Sequence, residues 1–395
     1  MSKTDVPTRD IFESGRRGLS HNGVRRANEK AVLTVIGFNS GVSNAEIARL
    51  SGLAPQTVSA ILTDLERGGL VTRGPVLRGR RGQPATPILL NADGGFSIGV
   101  EIGWRHLDVI LLNMHAQVLA HHHADYPYPD AETMVDTIAA VVADFAATLS
   151  VEQRARLLDL GVAMPGRLAE NMDLLGAPPG QAELWRALNL EEALEARSGL
   201  GVTMFNDGNA ACWAELIALA PPRPANIIYL LVSHFVAAGI VGDGALWEGP
   251  TGNAAELGSI LISRAGAAPE VAHNIASAWA LRAQLEAAGH RAQSLPAQAL
   301  ERPEFAAATA SWIEASASAL AQVIHNATTV VEQPLVVIDT VLSAETSAVL
   351  VERVAQEMTR LPTRSGRAPR VIAGQLGRMA PVIGAAELPL FRRHF

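Results

Sequence analysis

Residues 78–84 read Arg78-Gly79-Arg80-Arg81-Gly82-Gln83-Pro84. Three arginines within four residues repel one another unless a polyanion offsets them. Carried on a backbone thinned by glycine, they suit a narrow, electronegative minor groove. The chemistry implied at Arg78, Arg80, Arg81 and Gln83 is contact with DNA. Some twenty residues upstream, Gln56, Thr57 and Ser59 follow Pro55. There a glutamine amide can pair with an adenine edge and a threonine methyl can touch thymine. A third group, His121-His122-His123, raises the question of a metal. Successive strand residues alternate sides, so these three cannot all face one ion. They read as surface histidines, and no metal is expected.

These side chains need elements to present them. Val24, Ala27, Ala31, Val32, Val35 and Ile36 fall on one face of a helix over residues 24–38. Ser43 with Glu46 three residues on is a capping-box pattern that opens a short second helix. Pro55 suits the first position of a third helix, which buries Val58, Ile61, Leu62 and Leu65 before Gly68-Gly69 stops it. A longer helix followed by two short ones describes a helix-turn-helix. Strands at 70–72 and 87–90 would flank the arginine-rich segment as a hairpin, making it a wing. The alternative is a three-helix bundle with a decorated loop. Charge favours the wing: residues 1–90 hold 13 Lys and Arg against seven Asp and Glu, a balance of +6 in a chain of net charge −7. A basic head on an acidic body is the pattern of a segment that meets phosphate. Residues 1–21 are polar and aperiodic and read as a flexible arm; residues 22–92 read as the winged helix-turn-helix domain.

The remaining residues, 93–395, can bury a core of their own, since nearly half the chain is apolar. The most apolar run, 227–241, is shorter than the roughly 20 residues that span a bilayer; two buried strands, or a strand and its turn, are expected there. The N-terminal residues lack the apolar segment of a signal peptide, so a cytoplasmic protein without membrane contact is expected. Cys212 is the only cysteine, which excludes an internal disulfide and a cysteine-cluster zinc site. Groups of strands followed by helices occur twice. The expected fold is α/β, with two lobes around a cleft of the kind that holds small ligands.

The ordered motifs resemble one family. After the helix-turn-helix and Gly79–Pro84 come Gly99-Val100-Glu101-Ile102-Gly103, Gly161–Gly166, Phe205-Asn206-Asp207-Gly208-Asn209-Ala210-Ala211 and Gly252-Asn253-Ala254-Ala255-Glu256-Leu257-Gly258. Together, from about residue 22 onward, they resemble the ROK family of sugar-responsive repressors and sugar kinases. The resemblance implies an actin-like, sugar-kinase-like body in which Asn206, Asp207 and Glu256 hydrogen-bond a sugar or polyol. Ser259 stands where the family has a histidine that touches sugar and zinc, and His273 where it has a second sugar-contacting glutamate. Asp207 matches the family's catalytic base. The phosphate loops depart from the family pattern: Trp104 replaces a glycine, residues 233–238 read Ser-His-Phe-Val-Ala-Ala, and Asp339-Thr340 replaces a late Gly-Gly.

The implied protein is a DNA-binding regulator without catalytic residues or cofactor. Its partners would be double-stranded operator DNA, a sugar or polyol effector, and further copies of itself in a homodimer or homotetramer. Two alternatives remain open at this point. One is a sugar kinase fused to a DNA-binding domain, and the other a constitutive DNA-binding protein whose body only oligomerises.

Overall fold

The computed structural model describes residues 21–39, 41–75, 86–264, 266–293, 295–362 and 368–395. It divides into two compact units. The first comprises residues 1–94 together with 391–395, and the second runs from Gly95 to Leu390. The last five residues therefore group with the N-terminal unit, whereas the sequence reading assigned them to the body.

In the first unit, helices α1 (His21–Phe38), α2 (Asn44–Ser51) and α3 (Pro55–Arg67) precede strands β1 (Val71–Arg73) and β2 (Ile88–Leu90). The helix starts follow the residues that encode them. Ser43 accepts from the Glu46 backbone N–H while the Glu46 carboxylate accepts from the Ser43 N–H, closing the capping box. Pro55 opens α3, and Val58, Ile61, Leu62 and Leu65 form its buried stripe. On α1 the buried residues are Val32, Leu33 and Ile36; Val24, expected on this face, is 45% exposed. β1 and β2 pair antiparallel with Val71 opposite Leu90. The hairpin stem is thus in place, while its tip, with Arg78, Arg80, Arg81 and Gln83, lies outside the described residues, as do residues 1–20 of the expected arm. Phe395 packs edge-on against Phe38, and Lys30 donates to the Arg392 carbonyl at 2.6 Å.

The second unit contains two five-stranded sheets with the same internal order. The first is built from β3 (Phe96–Ile102), β4 (His106–Asn113), β5 (Val118–Asp125), then helices α4 (Met134–Thr148) and α5 (Val151–Arg154), β6 (Leu157–Met164), helices α6 (Gln181–Ala187) and α7 (Leu190–Ser198), and β7 (Val202–Asn206). Helix α8 (Asp207–Ala218) leads to the second sheet: β8 (Ile227–Val232), β9 (Val236–Gly242) and β10 (Ala245–Leu246). A two-stranded excursion, β11 (Leu261–Ile262) with β12 (Glu270–Val271), and helices α9 (Ala278–Ala287) and α10 (Ala306–Val331) separate these from β13 (Leu335–Thr340). Helix α11 (Ala344–Met358), β14 (Arg370–Ala373) and α12 (Ala380–His394) complete the chain.

The sheet orders are β5-β4-β3-β6-β7 and β10-β9-β8-β13-β14. In each, three consecutive strands run antiparallel and two later strands add in parallel beside the first. The repetition expected from the sequence is therefore a repeated topology. The apolar run at 227–241 forms the antiparallel pair β8–β9, buried along most of its length. Among the described residues no helix is long and apolar enough to cross a membrane.

Helix α10 buries a face that includes Trp312, Leu320 and Ile324 in the core of the second sheet. The Trp312 indole N–H donates to the Ser277 carbonyl at 3.0 Å, which satisfies the one polar atom of the largest fully buried side chain. Trp312→Ala is expected to cost about 3–5 kcal/mol of stability, read as a lowered denaturation midpoint; a loss below about 1 kcal/mol would show that the site collapses around the deletion.

Candidate functional site

The second unit holds a cavity of about 310 Å³, within the range of small-ligand sites. It lies beyond the carboxyl ends of the parallel strands β6 and β7, where open α/β sheets place their ligands. Asn206 is the last residue of β7 and Asp207 the first of α8. The Asn206 side chain accepts from the Asn209 backbone N–H at 3.2 Å and so caps α8, while also lining the cavity. The turn is tight because Gly208 has no side chain: a Cβ there would lie 2.2 Å from the Ala238 carbonyl oxygen on β9. Asn209 ties the same turn to the opposite wall by donating to the Gly252 carbonyl at 3.0 Å.

Asp207 is buried, and its backbone neighbour Gly208 donates to its carboxylate at 2.9 Å. Burial, with the charge of Glu101 adding to it, pushes this carboxyl up to about 7. Near neutral pH it is divided between an ionised form that only accepts and a protonated form that can donate.

The opposite wall carries Glu256, Ser259 and His273. Glu256 is half exposed and paired with Arg167, whose Nε lies 3.3 Å from its carboxylate. Ser259 Oγ lies 3.4 Å from His273 Nε2, and the Val236 backbone N–H donates to His273 Nδ1 at 3.2 Å. A Cβ at Gly258 would come within 2.2 Å of the His273 ring, so the glycine makes room for the histidine. Burial lowers His273 to about 4, which keeps the ring neutral. All five residues expected at an effector site thus surround one cavity. The sequence reading missed Arg167, which follows the Pro165-Gly166 turn after β6, and Phe235, which also lines the cavity.

Behind this cavity the loop between β8 and β9 is internally bonded. Ser233 N–H donates to Phe235 O, and the carbonyls of Ser233 and His234 accept from Ala278 and Trp279. Trp104 is buried, edge-on to Phe235 at 4.9 Å and 5.9 Å from the His234 ring. Arg105 and Arg282 line a hollow beside them. Arg282 is 4% exposed, and its Nε and Nη1 have no hydrogen-bond partner among the described residues. Burial, together with the nearby Arg105 charge, lowers Arg282 to about 10.

In the first unit, Gln56, Thr57 and Ser59 are exposed at the N-terminal end of α3. The Ser59 hydroxyl is already engaged, accepting from Asn44 at 2.8 Å and donating to the Pro55 carbonyl at 3.0 Å. Arg25 and Arg67 pair with Asp64, and Arg73 with Glu66, so these arginines are neutralised within the unit.

Comparison with known proteins agrees with both halves of this description. A profile described as the MarR family matches residues 22–82. An uncharacterized protein of Sinorhizobium fredii is 28% identical over 377 residues, covering 93% of this chain and 92% of the relative. The xylose repressor of Bacillus subtilis is 23% identical over 264 residues, 67% of each chain. The N-acetylglucosamine repressor of Shigella flexneri is 27% identical over 244 residues, 62% of this chain and 59% of its own. Among solved structures, a ROK family transcriptional regulator described as a homolog of an E. coli MLC protein superposes with a TM-score of 0.68 at 20% identity, covering 93% of this chain and 97% of that one. A ROK family glucokinase from Streptomyces griseus, in complex with glucose and AMPPNP, superposes with a TM-score of 0.60 at 20% identity, covering 75% of this chain and 99% of that one. The fold is therefore an N-terminal MarR-like winged helix followed by a sugar-kinase-like α/β body. The ROK profile matches residues 97–391, about three quarters of the sequence, and the chain belongs to the ROK family.

Proposed function

We propose that this protein is a transcriptional repressor of carbohydrate-related genes, controlled by a sugar or polyol bound in the cavity of its body. The observation that carries this reading is the convergence of Asn206, Asp207, Glu256, Ser259 and His273 on one cavity in a chain that also bears a winged helix. An amide, two carboxylates, a hydroxyl and a neutral imidazole donate and accept at fixed angles, as the hydroxyls of a polyol require. The names of the relatives, a xylose repressor and an N-acetylglucosamine repressor, point the same way.

In this reading the body binds its ligand without phosphorylating it. Phosphoryl transfer requires backbone N–H groups, approached closely, to cradle the phosphates. Here Trp104, in the turn between β3 and β4, is buried against Phe235 and His234, and the N–H groups of Ser233 and Val236 are bonded within the protein. Asp207 favours the competing kinase reading, because a buried carboxyl raised to about 7 suits a general base. The two part on turnover: incubation with ATP and a panel of hexoses, pentoses and amino sugars is expected to yield no sugar phosphate, and turnover above background would establish a kinase.

DNA binding is assigned to the exposed end of α3 and to Arg78, Arg80, Arg81 and Gln83, on a pseudo-palindromic site bound by a homodimer or homotetramer. Gln56→Ala and Thr57→Ala are expected to relax base preference, each by about 1–3 kcal/mol at its own position. The Arg80→Ala/Arg81→Ala double variant is expected to weaken binding at every sequence and to flatten its salt dependence. Parent-like operator affinity in that double variant, measured at physiological salt, would remove the wing from the interface.

A ligand alters DNA affinity only through a preference for one conformation, and a tenfold change requires about 1.4 kcal/mol of it. Asp207→Ala is expected to abolish the effect of the sugar on operator affinity and its thermal stabilisation, which should reach about 2.7 kcal/mol for the parent at 100 times the dissociation constant. Operator binding in the absence of sugar is expected to stay at the parent level. A normal sugar response in this variant would place the effector elsewhere.

A further inference from the structure

The histidine run at 121–123 has no part in the function proposed above, yet β5 directs two of its members to the same place. His121 and His123 are two residues apart and share a face of the sheet, while His122 occupies the other. In register, Glu101 on β3 stands opposite Asp108 on β4, and Asp108 stands opposite His123 on β5. His106 lies two residues before Asp108 on the same strand and face. Three neighbouring strands thus deliver two carboxylates and three imidazoles to one patch.

The geometry inside the patch is specific. His121 Nε2 lies 2.6 Å from Asp108 Oδ1, and His123 Nδ1 lies 3.0 Å from the same oxygen. The other oxygen, Oδ2, is buried and has no hydrogen bond. His106 Nε2 lies 3.7 Å from that Oδ2 and 3.2 Å from Glu101 Oε1. His106 Nε2 and Glu101 Oε2 are likewise buried without a hydrogen bond. Asp108 is fully buried and Glu101 is 5% exposed. Ligand atoms of Glu101, His106 and Asp108 all lie within 4.8 Å of one another.

We infer that Glu101, His106 and Asp108 form a binding site for a first-row transition-metal dication, with His121 and His123 orienting the Asp108 carboxylate. Two ligands held about 2.05 Å from a tetrahedral zinc are about 3.3 Å apart, close to the 3.2 and 3.7 Å seen at His106. Buried polar atoms are normally satisfied, and Asp108 Oδ2 and Glu101 Oε2, both buried without a hydrogen bond on residues whose ligand atoms lie within 4.8 Å of each other and of His106, call for a partner. Two carboxylates balance the charge of a dication, and the imidazole favours zinc, cobalt or nickel over calcium or magnesium, which prefer oxygen alone.

A cluster serving only to neutralise charge would explain His121, His123 and the His106–Glu101 ion pair, but not the buried Oδ2 of Asp108 and Oε2 of Glu101, which have no hydrogen bond. Donation from both histidines to Oδ1 fixes the carboxylate so that Oδ2 faces the ion, the role that outer hydrogen bonds play at metal centres. Arg378 opposes a cation, with Nη1 3.9 Å from Asp108 Oδ2. Its side chain is 41% exposed and can turn toward solvent. A hollow of about 480 Å³, lined in part by His106, His123 and Arg378, provides the route of entry.

The test uses the full-length protein, stripped with a chelator and titrated calorimetrically with zinc chloride, with Co²⁺ absorption as a second readout. The parent is expected to bind one zinc per chain, and Co²⁺ to show the visible bands of a low-symmetry nitrogen–oxygen site. His106→Ala and Asp108→Asn are expected to weaken binding by roughly 10- to 100-fold or more, and His121→Ala by less. His122→Ala, on the opposite face, is expected to keep the parent affinity. Should Asp108→Asn fail to fold, His106→Gln at its half-buried position carries the test. Absence of stoichiometric binding by the parent, or parent-like affinity in both His106 variants, overturns the site.

Discussion

The body depends on how closely the first turn of α8 meets β9. Helix α8 begins where β7 leaves the first sheet, yet it packs on β9 and β8 of the second. Its approach is so near that the Ala238 carbonyl occupies the space a Gly208 side chain would need. Because this contact is backbone against backbone, it cannot slide by a rotamer change, and packed elements of this kind move as units. Asn206 and Asp207, at the start of the same helix, are thereby held against the wall formed by Glu256, Ser259 and His273. Glu215, fully buried further along α8, adds a second anchor by accepting from the backbone N–H groups of Gln375 and Leu376 at 2.9 and 2.6 Å.

Buried charge is distributed unevenly around this helix. Glu101, Asp108 and Asp207 are buried carboxylates, with three histidines and Arg378 turned toward Asp108 and Glu101. Arg282, also buried, has Arg105 rather than a carboxylate among the charges that act on it. Isolated buried ions are costly unless paired or hydrogen-bonded. A fold retaining both kinds on neighbouring strands and helices holds polar groups that its own stability does not require. Such perturbed groups cluster where ligands bind more often than elsewhere.

Much of the architecture was legible because short-range rules decide it. The capping box at Ser43, the proline at the start of α3, its buried stripe and the antiparallel pair β8–β9 all follow from residues close in sequence. Periodicity misplaced Val24, because α1 turns Leu33 inward instead and the pattern tolerates either face. The helices α5, α6, α7, α8, α11 and α12 and the strands β7, β10, β11, β12, β13 and β14 were not read. Helix α8 is buried on nearly all sides and so lacks an amphipathic stripe to announce it.

By itself the sequence determined the class of each half: a basic helix-turn-helix with a hairpin stem, then an α/β body whose ordered motifs mark its family. It also singled out five of the residues that line the cavity, because motif order survives where spacing between motifs does not. Only the tertiary structure decided which of them face one another, that Arg167 joins Glu256, and that His273 meets Ser259, 14 residues away in sequence. The alternation rule correctly set His122 apart from its neighbours. What it could not supply was the strand register that brings His121, His123 and His106 to Asp108, since side chains on one face meet only when pairing between distant segments aligns them.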